Sequence, residues 1–190
     1  TTFRSMYLGL SAFMDASQER KDLLLGKRTP LFDEDEMSKN AHFIDDFERV
    51  ATKAVASKDY FLLVGPPGTG KTSRALRRMV EKFYARPETQ ILLLAYTNRA
   101  VDEICASLDT IVPVVDYIRI GSELSCDERY RKHLVENVLA SCQKRKDVRD
   151  CLSACRVYVG TVASLSSKTE LFKLKRFDVA IVDEATQILE

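Results

Sequence analysis

The stretch Gly65-Pro66-Pro67-Gly68-Thr69-Gly70-Lys71-Thr72 constrains this chain more than any other, because all eight positions fit the pattern G-x-x-x-x-G-K-S/T. Glycines let such a loop wrap closely, so its backbone N–H groups aim at phosphate oxygens. A helix that starts at the end of the loop presents its positive terminus to the same anion. Lys71 places a point charge near the β- and γ-phosphates, and the Thr72 hydroxyl can ligate magnesium. Ser73 completes the set of candidate nucleotide contacts. The alternative is a glycine turn that merely joins a strand to a helix.

The context of the loop favours the phosphate reading. Residues 61–64 form a short apolar run, read as a buried strand, and residues 71–85 read as a helix ended before Pro87. Further strands are expected over 91–95, 114–120, 156–160 and 178–182, with a helix over 99–108. Residues 5–25 read as an amphipathic helix stopped at 26–30, and 42–56 as another helix. The acidic run 33–36 reads as a solvated linker, and roughly 127–153 as a charged helical stretch. Strands alternating with helices imply an α/β fold, a parallel sheet covered on both faces with right-handed crossovers.

A second chemical signal lies downstream. Asp178-Val179-Ala180-Ile181-Val182-Asp183-Glu184 is an apolar strand that ends in two carboxylates. Such pairs also arise as solvated strand ends. Beside a phosphate loop they take on roles: a hydrolysing site needs one carboxylate near magnesium and another to orient the attacking water. Asp183 is the metal-side residue, acting through a bound water, and Glu184 is the general base; with Lys71 they are the catalytic candidates. Adjacent strand residues face opposite ways, so the strand is expected to end near Asp183, with Glu184 in the turn.

Composition bounds the rest. With 190 residues the chain is one domain, or one domain and a tail. The formal net charge of +1 gives no global pull toward nucleic acid, so any such binding must come from local patches. No run of about 18 apolar residues exists, so no membrane span is expected. Five cysteines beside a nucleotide motif point to a reducing, cytoplasmic setting, or a nuclear one in a eukaryote.

Five segments then occur in a telling order: 65–72, Leu94-Ala95-Tyr96-Thr97-Asn98-Arg99-Ala100-Val101-Asp102, Arg119-Ile120-Gly121, Val159-Gly160-Thr161-Val162-Ala163-Ser164 and Asp183-Glu184-Ala185-Thr186-Gln187. They resemble motifs I, Ia, an R-I/V-G element, Ic and II of superfamily 1 helicases, in the group of the nonsense-mediated-decay helicase and the replication helicase–nuclease. Residues 23–30 also resemble the linker before such cores. The resemblance implies a P-loop NTPase with a RecA-like parallel sheet flanked by helices, incomplete at its C-terminus. It implies ATP and magnesium as ligands, and ATP-driven movement along single-stranded DNA or RNA. It assigns strand contacts to Thr97, Asn98, Thr161 and Ser164, and makes Gln187 a sensor of the γ-phosphate. Capping of the next helix is the other reading of Thr97 and Asn98, and turn chemistry that of Thr161 and Ser164. The resemblance divides the chain into a helical extension and linker over 1–37 and a partial first RecA-like domain over 38–190, with a charged helical insertion at about 122–155. The arginines of later motifs and the second RecA-like domain are not in this sequence. Neither is the strand that the family places between the phosphate-loop strand and the 178–182 strand, so a gap in the sheet is expected. A competing reading is an NTP-driven switch or scaffold that does not translocate; a small-molecule kinase is disfavoured by the Thr97-Asn98 and Asp183–Gln187 segments.

The insertion holds Cys126, Cys142, Cys151 and Cys155, whose spacing lacks a C-x₂-C pair and reads as idle thiols on a helix rather than a cluster site. It also holds Arg129, Arg131, Lys132, Lys144, Arg145, Lys146 and Arg149, diluted by acids, and reads as a solvated charged face. His42 and His133 take no role. The family reads adenine with a glutamine shortly upstream of the phosphate loop; here 45–48 is Asp-Asp-Phe-Glu and Gln18 lies too far away. Weak preference among ATP, GTP and other nucleotides is therefore predicted. Competition binding checks it, and strong selectivity for ATP would show that another group reads the base.

Overall fold

Ile91–Ala95 (β1) is an unbroken apolar run, the composition of a strand buried on both faces. The computed structural model describes residues 2–38, 43–166, 168 and 170–188; His42 lies outside them. The chain divides into two compact units, one up to Val64 and one from Gly65 to Ile188.

In the second unit β1 pairs in parallel with Val157–Thr161 (β3) on one side and Val179–Val182 (β4) on the other. Tyr117–Ile120 (β2) adds beyond β3, giving a four-stranded parallel sheet of order β2-β3-β1-β4. Alternation along these strands builds two faces. Leu92, Ile118, Ile120 and Tyr158 form a core with Leu165, against which Val135, Val138, Leu152, Leu171 and Phe177 pack. Toward the other face, Ile91, Leu93, Val157 and Val159 are buried, and the helices Arg77–Tyr84 (α5) and Asn98–Leu108 (α6) pack against the sheet. Gly160 marks a close approach: a Cβ there would meet the Ile120 carbonyl oxygen at 3.0 Å.

Helix ends are capped from a distance. Arg156, just before β3, donates to the Arg86 and Tyr84 carbonyls at 2.7 and 3.0 Å and stacks over the Tyr84 ring, satisfying the end of α5. Lys175 does the same for the helix Arg145–Ala154, donating to the Leu152, Ser153 and Cys155 carbonyls.

The first unit is helical: Thr2–Asp15 (α1), Gln18–Leu24 (α2), Glu34–Ser38 (α3) and Asp46–Ala56 (α4). Arg28 clamps Asp59 through two bonds of 2.9 Å, and Leu31 N–H donates to the same carboxylate at 2.8 Å. These bonds, charge-assisted and bidentate, hold the Asp59 carboxyl below its usual range. Among the described residues no helix is long and apolar enough to cross a membrane.

Several expectations change. The 5–25 helix is two helices, because the Ser17 hydroxyl caps a fresh start by accepting from Arg20 N–H at 3.3 Å. The acidic run 33–36 is no linker but opens Glu34–Ser38, with the Asp33 carboxylate accepting from Glu36 N–H at 3.2 Å. The 127–153 stretch breaks into a 3₁₀ segment Glu128–His133, a short helix Val135–Val138 and the helix Arg145–Ala154. Strand 114–120 shrinks to Tyr117–Ile120, after a cis bond at Val112-Pro113. Residues 61–64 form no strand, and Leu62 and Val64 are 74% and 92% exposed. An apolar run supplies strand propensity but not a ladder partner. Both edges of β1 are taken by β3 and β4, and the far edge of β4 carries no further strand among the described residues.

Leu93 lies fully buried at the centre of β1. Leu93→Ala should destabilise the fold by about 2–5 kcal/mol, the range for emptying a packed core site. Urea unfolding of both proteins measures it; a loss below about 1 kcal/mol would contradict this central position.

Candidate functional site

Parallel strands bring their carboxyl ends to one edge, and α/β proteins place ligands there. Here that edge carries the ends of β3, β1 and β4 in spatial succession: Thr161, Tyr96-Thr97 and Asp183.

The phosphate loop turns on two glycines with positive φ, Gly68 at 76° and Gly70 at 82°. An L side chain is strained in that region. Thr69 Oγ1 donates to the Pro66 carbonyl at 2.8 Å, tightening the loop. Lys71 Nζ donates to the Gly65 and Pro66 carbonyls at 2.5 and 2.8 Å. The ammonium thus sits over its own loop, within reach of an anion cradled there. Lys71–Leu76 forms a π-helical turn that runs into α5.

Thr72 Oγ1 donates to Asp183 Oδ2 at 2.7 Å across 111 positions of sequence. Asp183 is carried to this point by β4, and its own N–H extends the ladder by donating to the Leu94 carbonyl at 2.8 Å. The hydroxyl and carboxylate expected to hold magnesium therefore meet. They are hard oxygen donors from two elements, a set suited to that ion. Glu184 follows in the left-handed region at φ 51°, a costly conformation for a non-glycine residue and one concentrated at functional sites. The turn frees its carboxylate from the strand, and Gln187 Nε2 donates to Glu184 Oε2 at 2.7 Å. Glu184 and Gln187 are both exposed.

Thr97 caps α6, its Oγ1 accepting from Ala100 N–H at 3.1 Å, and Asn98 is the first helical residue. Thr161 is buried; its Oγ1 accepts from Ser164 N–H at 3.0 Å and lies 2.7 Å from Ser164 Oγ, capping the helix Val162–Ser166. Three of the four strand-contact candidates, Thr97, Thr161 and Ser164, thus take part in caps, and all four share the edge with Asp183. Sequence reading passed over Tyr96, which is 54% exposed at the tip of β1. Its signal was an aromatic placed directly after a buried run.

Sequence reading also gave no role to the interior beside this edge. Arg119 is 1% exposed on β2, ion-paired with Asp102 of α6, and donates to the Ser125 carbonyl at 3.3 Å. Cys105 Sγ lies 3.8 Å from the same guanidinium. Tyr117 donates to Asp109 at 3.0 Å and stacks on His133 with centroids 3.9 Å apart; burial lowers the His133 pKa. The four cysteines of the insertion part company. Cys126 is buried beside Arg119, whereas Cys155 donates to the Val157 carbonyl at 3.3 Å. Among the described residues no three potential ligands converge on a metal position.

Residues 43–147 match the family described as an AAA domain. The DNA replication ATP-dependent helicase/nuclease JHS1 of Arabidopsis thaliana is 33% identical over 144 residues, 76% of this chain and 10% of the relative. The DNA replication ATP-dependent helicase/nuclease DNA2 of Bos taurus is 32% identical over 186 residues, 91% of this chain and 17% of the relative. The RNA helicase Mov10l1 of Homo sapiens is 26% identical over 154 residues, 77% of this chain and 12% of the relative. The chain therefore spans under a fifth of the length of each of these relatives.

Burial pushes the Cys105 thiol up to about 12, and only the thiolate attacks an alkylating reagent. At pH 8 iodoacetamide should leave Cys105 unmodified in the native protein and modify it in urea. Peptide mass spectrometry reads the site; native modification as fast as denatured modification would contradict this burial.

Proposed function

The chain belongs to the AAA-domain family and, within it, to the superfamily 1 helicases of the decay and replication group; from that premise we propose that its second unit is the ATP-binding and hydrolysing half-site of a motor that moves on single-stranded DNA or RNA. The observation that supports this best is the bond between Thr72 and Asp183 beside Lys71.

In this reading residues 65–73 hold the phosphates, with Lys71 exchanging its loop carbonyls for β- and γ-phosphate oxygens. Thr72 and Asp183 hold magnesium, Asp183 through a water. Held there, the ion would supply charge neutralisation at the phosphates, while the loop residues orient them. Glu184 takes the proton of the attacking water, and the left-handed turn at this residue aims its carboxylate off the strand. Gln187 positions that carboxylate and senses the γ-phosphate. Thr97, Asn98, Thr161 and Ser164 contact the strand along the same edge, and Tyr96 offers a face on which a base stacks. Relatives named for DNA replication and for RNA leave both polymers as substrates to test. The setting is the cytoplasm or nucleus.

Charge on the transferred phosphoryl group is answered by an arginine in related NTPases, worth about 10³–10⁵ in rate. The resemblance draws those arginines from a second RecA-like domain, so slow hydrolysis is expected of these 190 residues by themselves. The alternative, a switch or scaffold, predicts nucleotide binding that single strands leave unchanged.

Lys71→Ala should abolish magnesium-nucleotide binding to this chain by calorimetry while leaving its circular dichroism intact. A folded Lys71→Ala variant that binds like the parent would remove the loop from the site.

A further inference from the structure

Helix α6 touches three functional places. Its first residues, Thr97 and Asn98, stand at the strand-contact edge. Its middle is fixed to β2 by the ion pair of Asp102 with buried Arg119. Near its end, Ser107 is 6% exposed, and its hydroxyl reaches the backbone carbonyl of Thr72 at 3.3 Å and that of Glu103 at 3.1 Å. A serine hydroxyl has one proton, so it shares that proton between its own helix and the phosphate-loop helix. Ser107 belongs to none of the matched motif segments.

The carbonyl it reaches lies in a turn whose opening carbonyl accepts bonds of two helical spacings at once. Gly70 O accepts from Arg74 N–H at 2.9 Å, the spacing of an α-helix, and from Ala75 N–H at 3.0 Å, the spacing of a π-helix. A turn held by both bonds at once can settle into either. Residues 71–76 include Thr72, so the register chosen moves the hydroxyl that faces Asp183. Turns of this kind gather at functional sites.

We propose that Ser107 is a positioning residue that couples the strand edge to the nucleotide site, by biasing the register of the turn at 71–76. This rests on the reading that Thr97 and Asn98 contact a single strand. A strand that presses on the N-terminus of α6 meets a helix whose middle is held on β2. The response is transmitted at Ser107, which tightens on either the Glu103 or the Thr72 carbonyl. Tightening on Thr72 favours one register of the turn and one placement of the metal-side hydroxyl. By linkage, nucleotide at Thr72 then changes strand affinity by the same factor. The two-state element that such coupling requires is the doubly bonded turn itself.

The test measures both ligands on the intact 190-residue chain. A fluorescent non-hydrolysable ATP analogue with magnesium is titrated with and without saturating oligo-thymidine, and again with oligo-uridine. For the parent, the two analogue affinities should differ by about fivefold or more with at least one of the strands. Ser107→Ala should bring the ratio toward one while each ligand alone binds near its parental affinity. Ser107→Thr, which keeps the hydroxyl, should restore it. Hydrogen exchange at the amides of Arg74 and Ala75 should respond to the strand in the parent and not in Ser107→Ala. If the parent binds both ligands without coupling, or Ser107→Ala keeps the parental ratio, the role of Ser107 is overturned. If neither strand binds the parent, the strand-contact reading fails, and the coupling falls with it. An Ala variant that has lost nucleotide binding altogether marks Ser107 as structural and also overturns the proposal.

Discussion

Strand β1 pairs on both sides, with Leu94 opposite Gly160 of β3 and Val182 of β4, and the candidate site depends on that register. Parallel pairing in step puts Thr161, Tyr96 and Asp183 at one edge within a few ångströms of strand height. A slip of one residue in β4 would turn its side chains to the opposite face and carry Asp183 away from Thr72. The strand can hold the register because Ile91 and Leu93 are fully buried, and Leu92 nearly so, on opposite faces of the sheet. Hydrophobic burial thus sets the geometry of a polar site it does not itself contain.

Polar groups at the edge are paired with one another. Lys71 turns to the carbonyls of its own loop, Thr72 to Asp183, Gln187 to Glu184, and Thr161 to Ser164. Thr72, Asp183, Thr161 and Ser164 are buried or partly buried and demand such partners, whereas Glu184 and Gln187 pair in the open. Each pairing also names the exchange a ligand would make: phosphate oxygens for the carbonyls at Lys71, and a cation for the hydrogen between Thr72 and Asp183. The strained backbone at Glu184 belongs to the same arrangement. Ending β4 at Val182 and reversing the chain there is what sends two adjacent carboxylates to different partners, Asp183 to Thr72 and Glu184 to Gln187.

Behind the edge, buried Arg119 is ion-paired with half-buried Asp102 and has a thiol beside it. A buried pair adds little net stability once desolvation is counted, but losing one partner leaves an uncompensated charge. Its consequence is orientation: α6 is held to β2, so its Thr97 end and its Ser107 end keep a fixed relation to the sheet. Cys105 and Cys126 are buried with Arg119, whereas Cys142, Cys151 and Cys155 are only partly covered; burial raises the Cys105, Cys126, Cys142 and Cys155 thiols alike.

Much of this was legible from residue order alone. The phosphate loop, the acidic pair at the end of an apolar strand, and the α/β alternation are local patterns, and their chemistry follows from residue type and spacing. The turn at Glu184 was also readable, since adjacent carboxylates on a strand cannot face one site. Other features depend on partners far away in sequence. Residues 61–64 are as apolar as β1, yet only β1 finds neighbours on both sides; propensity is a property of a segment, and a ladder is a property of a pair. Arg119 stands in an expected strand and a matched segment, but its pairing with Asp102 exists only once α6 lies on β2, and Ser107 is one serine of an expected helix until α6 is laid against the phosphate-loop helix. The sequence by itself determined which groups could bind phosphate and metal, because covalent spacing along one loop sets that. Tertiary structure decided which hydroxyl meets which carboxylate, and which helix reaches Thr72, because those distances exist only after distant segments are packed into register.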